Sequence, residues 1–166
     1  AMAYTTIVAA NASDPAPMKG LHSNINQYTK SGSAPIKAAG RGETTIGIVF
    51  MHDAVKQAVK GFPVKVVAPA EGTGYEIGSM SIIDGARNMK EAKAFYDWAL
   101  SADAQNLALE VNAFQVPSNT GAKTSASAPD MSTIKLIDYD FKTYGSSATR
   151  KRLLKKWDDE VSVLAQ

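Results

Sequence analysis

The stretch Gly40-Arg-Gly-Glu-Thr-Thr-Ile-Gly-Ile-Val-Phe-Met-His-Asp-Ala54 does most to decide the fold of this chain. Residues 44–50 are rich in β-branched side chains and carry no charge, which is typical of a strand covered on both faces. The strand ends at the polar pair His52 and Asp53, and a short helix is predicted over 53–59. This order places two polar side chains at the end of a buried strand.

A second informative segment, Pro69-Ala-Glu-Gly-Thr-Gly-Tyr-Glu76, lies between two further predicted strands at 64–68 and 77–83. It is acidic and rich in glycine, which suits a tight turn. Either Glu71 or Glu76 could supply a ligand contact from this turn. Two strand ends that each deliver polar groups predict a cleft for a small polar ligand.

The remaining segments continue the alternation of strands and helices. A short strand is predicted over 24–30, helices are predicted over 4–10, 36–39, 90–100 and 102–111, and a last helix begins at Gly145. The helix over 90–100 carries Ala92, Phe95, Tyr96 and Ala99 at the spacing of a core-facing stripe. Residues 117–132 are predicted to be an irregular surface segment. Alternating strands and helices predict an α/β fold.

The composition excludes several classes of protein. The chain has 166 residues, 45% hydrophobic and 20% charged, which is ordinary for a globular protein. It contains no cysteine, so disulfides, thiolate zinc sites and cysteine nucleophiles are excluded. No run of about 18 apolar residues occurs, so the sequence predicts no membrane-spanning segment.

The net charge of +2 is too small to indicate a nucleic-acid partner. The basic residues at 150–152 and 155–156 are balanced by acidic residues at 158–160, which is typical of a solvated helix face. The first residues lack a basic region followed by a long apolar core. The sequence alone therefore leaves two alternatives, a cytosolic protein or one whose export signal precedes residue 1.

Several short motifs follow one another in the order found in a known family. They are Gly42-Glu43, Pro63-Val64, Pro69-x-Glu71-Gly72-Thr73-Gly74, Ala92-Lys93-x-Phe95 and Leu100-Ser101-x-x-x-Gln105. Together they resemble the periplasmic solute-binding proteins of ABC transporters, in the two-lobed group that carries ferric iron, phosphonates, polyamines or sugar phosphates. The resemblance extends over residues 3–161, and members of this family are about twice as long as this chain.

The resemblance implies a partial two-lobed, type II binding-protein architecture, α/β in class, that corresponds to the C-terminal half with parts of both lobes. It implies that residues 1–50 belong to the second lobe, that 51–63 form a helix and crossover near the hinge, and that 64–166 complete the first lobe. It also implies a periplasmic location and a membrane permease as partner. Sheet edges left exposed would allow dimerisation.

The ligand expected from the resemblance is an organophosphate rather than iron. Ferric members present adjacent tyrosines shortly after the strand that corresponds to 44–50, whereas this chain has Met51, His52 and Asp53 there and no Tyr-Tyr pair. Two adjacent side chains such as His52 and Asp53 rarely converge on one metal ion. No metal and no cofactor is therefore predicted.

A sugar phosphate combines hydroxyl groups with an anion, and the sequence offers partners for both. Carboxylates accept hydrogen bonds from sugar hydroxyls and histidine can donate one, while serine hydroxyls and backbone N–H groups at a helix N-terminus suit a phosphate. In the hexose-phosphate branch of the family, a His-Asp pair and a glutamate near the glycine turn contact the sugar. The predicted ligand contacts are Ser31, Gly32, Ser33, His52, Asp53 and Glu76.

Each of these residues also has a purely structural interpretation. Ser33 could be only a helix cap, the His52-Asp53 pair could only begin a helix, and Glu76 could be an exposed strand residue. Tyr75 could stack on a sugar or pack internally, and His22 is expected at the surface. An aminophosphonate would also fit, because a carboxylate can pair with its ammonium group.

An enzyme is disfavoured by the same residues. Adjacent helical side chains such as His52 and Asp53 point about 100° apart, which does not give the base–orienter geometry of a catalytic triad. A phosphate-ester-processing enzyme is therefore the less favoured alternative to a binding protein.

Overall fold

A computed structural model describes residues 16–164 of the chain. The helices of this part are α1 Ala16–His22, α2 Ala34–Gly40, α3 Met51–Val59, α4 Met89–Ala99, α5 Ala102–Glu110, α6 Phe141–Tyr144 and α7 Ser147–Glu160, with a 3₁₀ turn at Met131–Thr133. None of the helices in this range has both the length and the apolar character needed to cross a bilayer.

The helix predictions that fall within residues 16–164 are confirmed. Helices α2 to α5 begin and end within two residues of the predicted bounds, and α7 begins two residues after Gly145. Local signals explain this accuracy, since the Ser101 hydroxyl caps α5 by accepting a hydrogen bond from the Ala104 N–H at 3.2 Å. The helix predicted over 4–10 lies outside the described residues.

The strand predictions at 24–30, 44–50, 64–68 and 77–83 are not met within residues 16–164, where these segments have no strand assignment. The pairing found there is a single parallel bridge between Thr73 and Leu136. In it, the Thr73 N–H donates to Lys135 O at 2.9 Å and the Ile137 N–H donates to Thr73 O at 3.0 Å. A strand requires a neighbour for its N–H and C=O groups, and an apolar sequence does not supply that neighbour.

The chain divides into two compact units. Among the described residues, the first unit contains 16–50, Ala68–Glu76 and 131–164, and the second contains Met51–Val67 and Ile77–Asp130. The chain therefore passes between the units at the start of α3, on both sides of the glycine-rich turn, and between Asp130 and Met131. The assignment of 1–50, 51–63 and 64–166 to lobes and hinge remains a prediction.

The core of the first unit includes His22, which is only 3% exposed. Its Nδ1 atom lies 2.9 Å from the Tyr28 hydroxyl, and its Nε2 atom lies 3.1 Å from the carbonyl oxygen of Leu164. Tyr28 stacks on the imidazole ring, and Trp157 meets it edge-on at 5.5 Å. The prediction that His22 lies at the surface is wrong, because both ring nitrogens find partners inside an aromatic cluster.

These contacts fix the tautomer of neutral His22. A carbonyl oxygen only accepts, so Nε2–H donates to Leu164 and Nδ1 accepts from the Tyr28 hydroxyl. Burial beside these rings raises the pKa of Tyr28. The cluster links α1, the segment after it and α7 through groups that sequence patterns do not place together.

In the second unit, a polar clamp holds the irregular segment that begins at Pro117. The Gln105 side chain donates to Ser118 Oγ at 3.0 Å and accepts from the Asn119 N–H at 2.9 Å. Asn119 in turn donates to the carbonyl oxygen of Leu100 at 2.8 Å. Gln105 of the Leu100-Ser101-x-x-x-Gln105 motif thus anchors this loop to the α4–α5 hairpin.

Candidate ligand-binding site

His52 and Asp53 lie in the first turn of α3, in the second unit. Ala54 and Val55 beside them are buried and fix this turn. The side chains of His52 and Asp53 are 29% and 25% exposed, so both remain accessible from one side. A carboxylate in the first turn is also favoured by the helix dipole.

The two side chains do not form a hydrogen bond to each other, because His52 Nε2 and Asp53 Oδ2 are 3.8 Å apart. That separation also differs from the short base–orienter contact of a catalytic triad. Carboxylate oxygens accept hydrogen bonds, and a histidine ring can donate one. The pair therefore suits recognition of hydroxyl groups.

Ser31, Gly32 and Ser33 precede α2 in the first unit, with Ser31 and Gly32 exposed. The hydroxyls of Ser31 and Ser33 are 3.5 Å apart. Ser33 occupies the N-cap position, as predicted, but its side chain makes no capping hydrogen bond. The backbone there is held instead by Ser31 O, which accepts from Thr29 Oγ1 at 2.8 Å. The Ser33 hydroxyl therefore does not cap α2.

Glu76 is exposed in the first unit, at the end of the glycine-rich turn, and Glu71 is exposed as well. Gly72 has φ +126°, and an added Cβ would lie 3.3 Å from Ile137 Cγ2, so the turn requires glycine there. Tyr75 packs edge-on against Phe141 at a ring distance of 5.8 Å. This contact fits the packing interpretation of Tyr75, whereas sugar stacking remains a prediction.

The structure brings together His52 with Asp53, and Ser31 with Ser33. The first pair belongs to the second unit, whereas the serines and Glu76 belong to the first. The convergence of all six predicted residues on one ligand remains a prediction. Within residues 16–164, no three His, Asp or Glu side chains are arranged to hold a metal ion.

One structural role of a motif residue was not found by sequence reasoning. The Arg41 guanidinium donates to both carboxylate oxygens of Glu43, at 2.6 and 2.8 Å, and this contact lowers the pKa of Glu43. Between them, Gly42 has φ +76° and lies just after the C-cap residue of α2. The Gly42-Glu43 motif therefore shapes the exit from α2.

Residues 2–110 match the family model described as bacterial extracellular solute-binding protein. The chain belongs to this family of solute-binding proteins, in agreement with the resemblance seen in its motifs. An uncharacterized protein of Haemophilus influenzae is 48% identical over 147 residues, which cover 88% of this chain and 42% of that protein.

Two solved structures are similar to the chain. The periplasmic binding protein AfuA from Actinobacillus pleuropneumoniae, solved with exogenous fructose 6-phosphate bound, is 48% identical with a TM-score of 0.87, and the likeness covers 98% of this chain and 52% of AfuA. The periplasmic binding protein P5PA is 39% identical with a TM-score of 0.82, covering 95% of this chain and 51% of P5PA.

The chain thus spans about half the length of the relatives that it matches. The predicted fold class, a partial periplasmic-binding-protein architecture of α/β type, is confirmed by these likenesses. Within residues 16–164 the chain itself is rich in helix. AfuA and P5PA are both described as periplasmic binding proteins.

Proposed function

We propose that the chain forms part of an extracytoplasmic solute-binding component of an ABC importer, with a sugar phosphate of the hexose-phosphate class as its ligand. One observation carries this proposal: the likeness to AfuA, which was solved with fructose 6-phosphate bound. The role is capture for transport, without chemical change of the ligand.

The residues of the second unit support recognition of the sugar. Asp53 accepts hydrogen bonds from sugar hydroxyls, and His52 donates one. Their side chains are 29% and 25% exposed, so both can be reached by a ligand. Half-burial strengthens such hydrogen bonds, because competing water is partly excluded.

The residues of the first unit support recognition of the phosphate. The hydroxyls of Ser31 and Ser33 lie 3.5 Å apart. Gly32, between them in sequence, is exposed. Because the Ser33 hydroxyl does not cap α2, it is available to donate to a phosphate oxygen. Glu76, exposed in the same unit, accepts a further hydrogen bond from the sugar.

The proposed cycle follows from contacts shared between lobes. A ligand that contacts both lobes favours the closed state by its differential affinity, through a hinge near residues 50–64. The closed form then docks on a membrane permease in the periplasm. Ferric iron, an aminophosphonate or a polyamine are the alternative ligands, and a phosphate-ester-processing enzyme is the alternative activity.

Isothermal titration calorimetry with fructose 6-phosphate, glucose 6-phosphate, inorganic phosphate and an aminophosphonate tests the ligand class. Since the chain spans about half the length of its relatives, we expect only part of the contacts and a dissociation constant in the millimolar range. Both hexose phosphates should bind more tightly than inorganic phosphate. Tighter binding of the aminophosphonate than of both hexose phosphates would contradict the proposal.

A further inference from the structure

The helix that carries His52 and Asp53 also buries a polar side chain, that of Gln57, which is 9% exposed. The backbone carbonyl of Gln57 accepts from the Phe62 N–H at 3.2 Å. Its side-chain amide, however, forms no hydrogen bond within residues 16–164. A buried amide without a partner has lost its hydrogen bonds to water without replacing them, which destabilises the folded chain.

A second glutamine of the same unit shows the usual arrangement. Gln105 is less buried than Gln57, yet its amide donates to Ser118 Oγ at 3.0 Å and accepts from the Asn119 N–H at 2.9 Å. Most buried polar side chains of folded proteins have such partners. The unpaired amide of Gln57 therefore calls for a role other than packing.

Gln57 lies one helical turn after Asp53. Residues four apart in an α-helix are neighbours on one side of it, and long helical side chains lean toward the preceding turn. Because each residue advances by about 100° around the axis, Asp53 lies between His52 and Gln57. These three residues form one polar strip beside the buried face of α3, which includes Ala54.

We propose that Gln57 is a further ligand-binding residue, which makes the strip select a hydroxyl group over an ammonium group. A hydroxyl has one donor and two acceptor positions. It therefore donates to a carboxylate oxygen of Asp53 and accepts from the Gln57 amide N–H at the same time. An ammonium group only donates, so beside Asp53 it leaves the N–H groups of Gln57 unpaired. A site built to bond a hydroxyl discriminates against ligands that lack it.

The inference rests on the proposed function, because it assigns a role within the same sugar site. The test variant is Gln57→Met, which keeps the length of the side chain and removes its polar atoms. Replacing an unpaired buried amide by an apolar group of similar shape is neutral or stabilising. The matched control is Gln105→Met, which removes an amide whose hydrogen bonds form within the chain.

Nuclear magnetic resonance titrations with fructose 6-phosphate and with an aminoethylphosphonate give the two affinities, and thermal unfolding without ligand gives the melting temperature. Gln57→Met should weaken fructose 6-phosphate binding about tenfold, leave aminoethylphosphonate binding unchanged, and leave the melting temperature equal or higher. Gln105→Met should lower the melting temperature by about 3 °C and leave both affinities unchanged.

The three measurements separate a ligand contact from a structural role. A lower melting temperature for Gln57→Met would show that the amide has a partner in the folded chain, and would overturn the inference. Unchanged fructose 6-phosphate binding, or equal weakening of both ligands, would overturn it as well. If the original chain binds neither ligand, or prefers the aminoethylphosphonate, the proposed function itself fails and the inference fails with it.

Discussion

The Nε2 atom of His22 lies 3.1 Å from the carbonyl oxygen of Leu164, although the two residues are 142 positions apart. The contact ties α1 to the residues that follow α7. Since Trp157 and Tyr28 enclose the same imidazole, His22 is the polar centre of an aromatic cluster.

Replacing His22 with alanine should therefore lower the free energy of unfolding by about 2 kcal/mol, because Tyr28 and Leu164 lose partners and a cavity remains. Urea unfolding followed by tryptophan fluorescence measures the change. His52→Ala is the matched control, since His52 is half-buried and should cost less than about 1 kcal/mol. Equal effects of the two substitutions would contradict the structural role of His22.

The pKa of Tyr28 predicts a loss of stability at alkaline pH. Burial raises this pKa above its unfolded value of about 10, so the unfolded chain releases the proton first. The stabilising contribution is complete below pH 10 and is lost as pH rises through the folded pKa. Between about pH 8 and about pH 11.5, on either side of about 10, the free energy of unfolding should decrease less with rising pH for Tyr28→Phe than for the unchanged chain. The same pH dependence in both proteins would contradict this.

Asp53→Asn should weaken hexose-phosphate binding at least tenfold, about 1.4 kcal/mol, because an amide replaces an acceptor of sugar hydroxyl groups. Asp103→Asn is a close control, since Asp103 also lies in the first turn of a helix of the second unit. Both variants lose the same interaction with a helix dipole. Titration calorimetry should show a loss for Asp53→Asn alone, and a similar loss for both would assign the effect to helix stability.

Ser33→Ala should weaken binding of the phosphorylated ligand while leaving the free energy of unfolding within about 0.5 kcal/mol of the original. The reason is that the Ser33 hydroxyl makes no capping bond, whereas Ser101 and Ser146 do. Ser101→Ala should lower the free energy of unfolding by about 1 kcal/mol without affecting binding. If Ser33→Ala lowered the free energy of unfolding as much as Ser101→Ala does, Ser33 would be only a helix cap, which would contradict the prediction.

Gln105→Ala should loosen the segment after Pro117 without unfolding the α4–α5 hairpin. Gln105 holds both Ser118 and the Asn119 N–H, and these bonds are lost in the variant. Hydrogen exchange at Asn119 and Gly121 should accelerate at least tenfold. The amides within α5 serve as the internal reference, and unchanged exchange at Asn119 would contradict the clamp.

The sequence predicted α2 to α5 and α7, but not α1 and α6, because the signals of those five helices are local. The cap at Ser101 and the glycine after α2 act within one turn of the chain, so α2 and α5 could be placed within two residues. The strands predicted at 44–50 and 77–83 are not found within residues 16–164, because a strand depends on a neighbour that local sequence does not specify. The prediction that His22 lies at the surface failed for a related reason, since its partner Leu164 is distant in sequence.

For the candidate site, the sequence located polar residues but not their arrangement. The spacing of His52 and Asp53 implied shared placement at one helix start, which the structure shows. The availability of the Ser33 hydroxyl could not be predicted, because N-cap serines usually bond the backbone. His52 and Asp53 belong to the second unit, whereas Ser31, Ser33 and Glu76 belong to the first. Their convergence on one ligand stays a prediction, because sequence spacing gives no information on it.

The most direct test of a shared sugar-phosphate site is nuclear magnetic resonance of the isotope-labelled chain during titration with fructose 6-phosphate. The account predicts that the amides of Ser33, Asp53 and Glu76 shift together along one binding curve, and that inorganic phosphate shifts Ser33 far more than Asp53. Shifts confined to one unit, or absent from all three residues at saturating ligand, would contradict it.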